Sequence, residues 1–365
     1  VPLVWDYLGE QKKKTIALYV PLSYPVKPIT GVMVSDFLTP GMNSNCAYPE
    51  RIKEKLKEYG TMYGPPDEKG NKEFLFDVAV GLAGHKGMEV GKLIEKTYEL
   101  TEMQLALLKD LLKNEDWDFF MTVMIGSDRL QHMLWNHFDT NNRKFIPNSP
   151  HKDALKNYYV YLDKQLGEII KQLDERTTII VTSDHGIIRQ EGKINLNNWL
   201  IQEGYMALNK GIDPKAKARF SLSMVDLKKS VAHGSGAYHG IVYINKELAG
   251  KNYEQIREEI TNKLMAIPDD KGKTMNTIVY KKEDIYAKPN HPECPDLTIY
   301  FDDLRWASNP DFGQEGLYSW ENVVGADTAG HSRQGSFIIA GNKIACKKNI
   351  GEIDIRQVEP TLLKL

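Results

Sequence analysis

Residues 117–135 read WDFFMTVMIGSDRLQHMLW, and residues 177–187 read TTIIVTSDHGI. In each, a continuous apolar run breaks off into a cluster of Ser, Asp and His. An uninterrupted apolar run of this length is the pattern of a strand covered on both faces, as in a parallel sheet. Each run also follows a long segment with helical periodicity. Residues 88–115 repeat apolar positions at i, i+3 and i+4, and residues 151–174 form a second such segment. Helix feeding apolar strand, twice over, predicts parallel βαβ units. The expected fold class is therefore α/β, a central and mostly parallel sheet sandwiched by helices.

In such sheets ligands sit at the carboxyl ends of the strands, where the polar clusters fall. Asp128 and His132 are four residues apart, so a helix starting near Ser127 projects both from one face. Asp184 and His185 follow the second strand, and Gly186 permits a tight turn there. A third piece, GHSRQGS, places His331 ahead of the apolar run FIIAG. Each has a plain structural reading as well: a helix cap for Asp128, ordinary turn chemistry for Ser-Asp-His-Gly, a lone loop histidine for His331. Taken together, two carboxylates and three imidazoles converge on one sheet edge. The mixed set suits Zn2+, which imidazole favours, or Mn2+. Five donors exceed one tetrahedral site and suit two cations about 4 Å apart, an arrangement that clamps the attacking and leaving oxygens of phosphoryl transfer. His233 and His239 flank the Gly-rich stretch AHGSGAYHG and are candidates for touching substrate. That stretch lacks the preceding strand and following helix of a phosphate-binding loop.

The rest of the chain sorts around these elements. Residues 1–25 read as helix then strand, 26–50 as a long loop, and 51–60 as a short charged helix. Residues 195–300 carry short strands and a helix near 252–266, and read as a smaller α+β cap module inserted into a core of 1–194 and 301–365. Residues 331–341 return to a strand, and 353–365 read as a terminal amphipathic helix.

The chain has 365 residues, 41% of them hydrophobic, enough for a sizeable core. Lys and Arg number 47 against 49 Asp and Glu, which gives no footprint for duplex nucleic acid or an anionic membrane. No apolar run approaches the roughly 20 residues of a membrane span. The three cysteines, Cys46, Cys294 and Cys346, are scattered and read as free thiols of a reducing compartment. With no secretory leader visible, the expected location is cytoplasmic.

The pieces WDYLGEQKKKTIALYVPLSYP, VSDFLTPG, SDRLQHMLW, YYVYLDKQLGEII, VTSDHG and GHSRQGSFIIAG, in that order, resemble the type I phosphodiesterase/nucleotide pyrophosphatase family of the alkaline phosphatase superfamily. NLNNWLIQEGY and PDLTIYFDDLRW are similar to a microbial branch of it. The resemblance implies an alkaline-phosphatase-like fold, two divalent ions that are usually zinc, and hydrolysis of a small phosphate ester through a covalent phospho-enzyme. By position, Asp128, His132 and His331 would hold one ion, and Asp184 and His185 the other. It also implies a further Asp and a Thr or Ser nucleophile on a segment upstream of Val1, so that residues 1–365 alone would bind the second ion weakly and turn over poorly. Thr30, Thr39 and Thr61 do not occupy the nucleophile's expected place. The other readings are a sulfatase, phosphonate hydrolase or phosphomutase on the same core, or a degenerate, non-catalytic metal-binding protein.

Overall fold

The computed structural model describes residues 2–60, 89–320, 328–345 and 348–365. A short helix, α1 (Val4–Glu10), leads into the first sheet. This sheet comprises β1 (Thr15–Leu18), β2 (Gly31–Val34), β3 (Ala47–Tyr48) and β4 (Phe119–Thr122), in the order β3-β2-β1-β4. β1 runs parallel to both neighbours, with Thr15 opposite Gly31 on one side and Phe119 on the other. Helices α2 (Ile52–Tyr59) and α3 (Val90–Asn114) cover it. The stripe Leu93, Leu100, Leu107 and Leu111 of α3 packs on Ile16, Leu18, Val32 and Val34, as the periodicity requires.

The segment 26–50 is not only loop, because GVMV pairs as β2. Composition marks the surrounding Pro, Ser and Asn correctly, and a four-residue strand is too short to stand out among them. Within this segment Thr39 is buried, and its hydroxyl donates to the Asp36 carbonyl at 2.7 Å. Thr61 and Cys346 lie outside the described residues. Cys46 and Cys294 are free thiols.

Beyond β4, helix α4 (Gly126–Leu134) starts at once, and α5 (Ala154–Ile170) packs against it. β5 (Ile179–Thr182) pairs with a late strand, Phe337–Ala340, and β6 (Gly186–Arg189) pairs with Ala329–Ser332, both antiparallel. The α/β class stands, but strand pairing is divided among several sheets. Among the described residues β4 pairs with β1 alone and β5 with Phe337–Ala340 alone, leaving each an open edge. The two apolar runs are less buried than their residue types predict. Every residue of β4 is only half-buried, and Val181 of β5 is 44% exposed.

The α+β portion contains β7 (Gly192–Asn195), α6 (Leu196–Gln202), β8 (Ala232–Gly236), β9 (Gly240–Ile244), α7 (Tyr253–Met265), β10 (Ile278–Lys281), β11 (Leu297–Tyr300), β12 (Trp306–Asn309) and β13 (Tyr318–Ser319). An antiparallel sheet β10-β11-β9-β8 and the triplet β12-β7-β13 share one hydrophobic core, which extends past residue 300 to Trp306 and Phe312. The last strands are β14 (Ala329–Ser332) and β15 (Phe337–Ala340). The single strand expected over 331–341 is thus two, and His331 belongs to β14 rather than to a loop. The terminal helix is brief, Val358–Leu362, and none of its residues is fully buried.

Candidate metal centre

Asp128 and His132 fall on the first two turns of α4, one above the other, as a four-residue spacing dictates. The helix can begin there because Gly126 has no side chain. A Cβ at that position would collide with the Tyr158 hydroxyl of α5. His331 arrives on β14, opposite Ile187 of β6. Two hydrogen bonds tie β14's approach to the end of α4: the Thr328 amide and hydroxyl both donate to the His132 carbonyl, at 2.8 and 2.9 Å.

One donor atom each from Asp128, His132 and His331 lies within 4.8 Å of the others, and His132 is fully buried. His132 Nε2 is 3.3 Å from Asp128 Oδ1 and 3.2 Å from His331 Nε2. On its other side, His132 Nδ1 lies 2.9 Å from the Ala329 carbonyl oxygen. A carbonyl can only accept, so Nδ1 carries a proton, and Nε2 is the nitrogen turned toward Asp128 and His331. Burial, reinforced by His185 and His132, pushes His331 down to about 3, so this ring is neutral at ordinary pH. Burial works to raise the Asp128 carboxyl, but His132 and the Arg129 guanidinium outweigh it and hold it below the usual carboxylate range. Arg129 Nη1 lies 3.2 Å from Asp128 Oδ2, while Oδ1 is buried with no hydrogen-bond partner.

Two imidazole Nε2 atoms and a buried carboxylate oxygen therefore converge on one point. A cation between them could accept a lone pair from each. Bonds of about 2.0–2.2 Å in a tetrahedral shell place neighbouring donors roughly 3.3–3.5 Å apart, close to the separations here. The residues fit a divalent ion.

Asp184 and His185 stand beside this group. His185 Nε2 is 3.9 Å from Asp128 Oδ1 and 3.7 Å from Asp184 Oδ2. The His185 ring stacks on His331 with centroids 3.6 Å apart. Asp184 is exposed, and its Oδ1 accepts from the His185 amide at 3.1 Å. Among the described residues, only Asp128, His132 and His331 form a cluster of three or more such donors. His233 packs between Phe220 and Tyr243 inside the α+β portion, and His239 lies against Tyr300. The residue of that glycine-rich stretch that reaches the centre is Tyr238, stacked on His331 with centroids 4.0 Å apart. In a sequence histidine, not tyrosine, carries the ligand signal, so residue type alone does not mark Tyr238.

Residues 2–327 match the family Type I phosphodiesterase / nucleotide pyrophosphatase. The chain belongs to that family. No curated protein matches the sequence. Among solved structures, murine ectonucleotide pyrophosphatase / phosphodiesterase 5 is similar at 11% identity and a TM-score of 0.43. The alignment covers 93% of this family member and 63% of the murine chain, so residues 1–365 span less than two thirds of that structure's length. Among the described residues, no helix is long and apolar enough to cross a membrane.

Proposed function

We propose that this chain is a metal-dependent hydrolase of phosphodiester, or related phosphate-ester and pyrophosphate, bonds in a small substrate. The observation that carries the reading is the convergence of Asp128, His132 and His331, with one potential ligand atom from each within 4.8 Å of the others. These three residues would hold one divalent ion, with Zn2+ best matched to two imidazoles and a carboxylate. Asp184 and His185 would contribute two donors toward a second. Bound cations supply Lewis-acid polarisation of the ester oxygens.

The protein's own part is preparation. His132 is fixed in tautomer and direction by the Ala329 carbonyl. His132 and Arg129 together hold the Asp128 carboxyl below its usual range. The neutral state of His331 leaves its lone pair available without a proton to displace. The covalent course through a Thr or Ser hydroxyl belongs to the same proposal, and no residue of 1–365 is assigned as that nucleophile.

The test has two readouts. Titration of metal-free protein with Zn2+ should show binding that His331→Ala abolishes. Hydrolysis of bis-p-nitrophenyl phosphate, however slow, should exceed that of the monoester and of p-nitrophenyl sulfate. It should stop with chelator, return with Zn2+ or Mn2+, and weaken in Asp184→Asn. Metal binding unaffected by His331→Ala, or hydrolysis indifferent to chelator, would refute the proposal.

A further inference from the structure

The α+β portion reaches the candidate centre through the tip of the β8–β9 hairpin. Gly236 pairs with Gly240, so Ala237, Tyr238 and His239 make the turn. Gly236 has φ +102°, and a Cβ there would collide with the His239 carbonyl oxygen, so the turn requires glycine. The tip is anchored, because the Ser308 amide of β12 donates to the Ala237 carbonyl at 2.7 Å. Tyr238 is thereby laid over the centre. Its ring is 4.0 Å from that of His331, tilted by 25°, and 5.3 Å from that of His132. With His185 stacked on the opposite face, the His331 imidazole is held between two flat rings.

His132 and His331 are oriented by different means. His132 is fixed by a hydrogen bond from its outer nitrogen. For His331, among the described residues, the polar contact is the one at Nε2. Rotation about χ2 of a histidine is soft, so an imidazole without an outer hydrogen bond needs some other restraint to keep its lone pair aimed. We infer that Tyr238 is a positioning residue: its ring clamps His331 and so sets the affinity of the Asp128–His132–His331 group for a divalent cation. The inference rests on the metal reading above.

Zn2+ and Co2+ titrations of wild type, Tyr238→Phe, Tyr238→Leu, Tyr238→Ala and His331→Ala test it, with circular dichroism confirming that each variant is folded. Phe keeps the flat ring and should bind as wild type does, with the same visible Co2+ spectrum. Leu keeps apolar bulk under the hairpin but no flat face. Leu and Ala should bind about 10–100-fold more weakly, the usual cost of losing a group that orients a metal ligand, with an altered Co2+ spectrum. If Leu binds as tightly as wild type while His331→Ala abolishes binding, the clamp is refuted and the metal reading stands. If wild type binds no metal, or His331→Ala binds normally, the metal reading fails and the clamp with it.

Discussion

The Nε2 atoms of His132 and His331 face each other at 3.2 Å across 199 positions of sequence. A divalent cation bound at this cluster would take a lone pair from each ring. Zn2+ at about a hundred times its Kd should therefore stabilise the fold by about 2.7 kcal/mol, read as a raised unfolding midpoint. His331→Ala should show no such rise. An equal rise in the variant would place the ion elsewhere.

Gly126 links the fold to the centre. Gly126→Ala forces its methyl group into the Tyr158 hydroxyl, which is hydrogen-bonded to Thr101 at 2.7 Å. Overpacking of this kind costs about 1–3 kcal/mol, and it displaces the turn that carries Asp128. Denaturant unfolding should show the loss, and Tyr158→Phe in the same background should recover part of it. Additive costs would disprove the coupling.

A buried ion pair supports the β8–β9 sheet. Lys282 Nζ lies 2.7 Å from Asp296 Oδ1, Tyr253 donates to the same oxygen at 2.6 Å, and the Ile244 amide donates to Oδ2 at 2.7 Å. Burial opposes ionisation, yet Lys282 and these donors hold the Asp296 carboxyl below its usual range. Its stabilising contribution is complete above the unfolded value of about 3.9 and is lost as pH falls through the lower folded pKa. Asp296→Asn should cost about 3–5 kcal/mol at neutral pH by stranding Lys282. The gap between variant and wild type should narrow on strong acidification. A gap that widens in acid would reverse the assignment.

Val181 and Ile338 are directly opposed on β5 and β15, and are 44% and 61% exposed. An apolar pair beside an open strand edge promotes edge-to-edge association. Replacing both with Thr, which suits strands, should lower concentration-dependent light scattering at little cost in stability. Unchanged scattering would show that this edge is not the adhesive surface.

The clustering of Asp128 with His132 was legible because it is local. Asp128 and His132 announce themselves by a four-residue spacing after an apolar run, and Asp184-His185 by position at a strand end. Their meeting with His331 depended on a topology the sequence could only suggest. The long helices were legible from period, since 25 residues of α3 repeat the pattern many times. GVMV escaped because four residues carry no statistics. The burial expected of β4 and β5 came from residue type, whereas exposure is decided by which neighbours pair with them. Tyr238 escaped because its role is set by a hairpin turn and a stacking distance, neither of which leaves a mark in residue identity.

The β6–β14 ribbon has a thermodynamic corollary. His185 immediately precedes β6 and His331 lies on β14, so the histidines proposed for the two cations are mounted on one hydrogen-bonded tongue. If the proposed pair of cations binds, filling either seat would stiffen the support of the other. The two occupancies would then be linked, each changing the affinity of the other by the same factor.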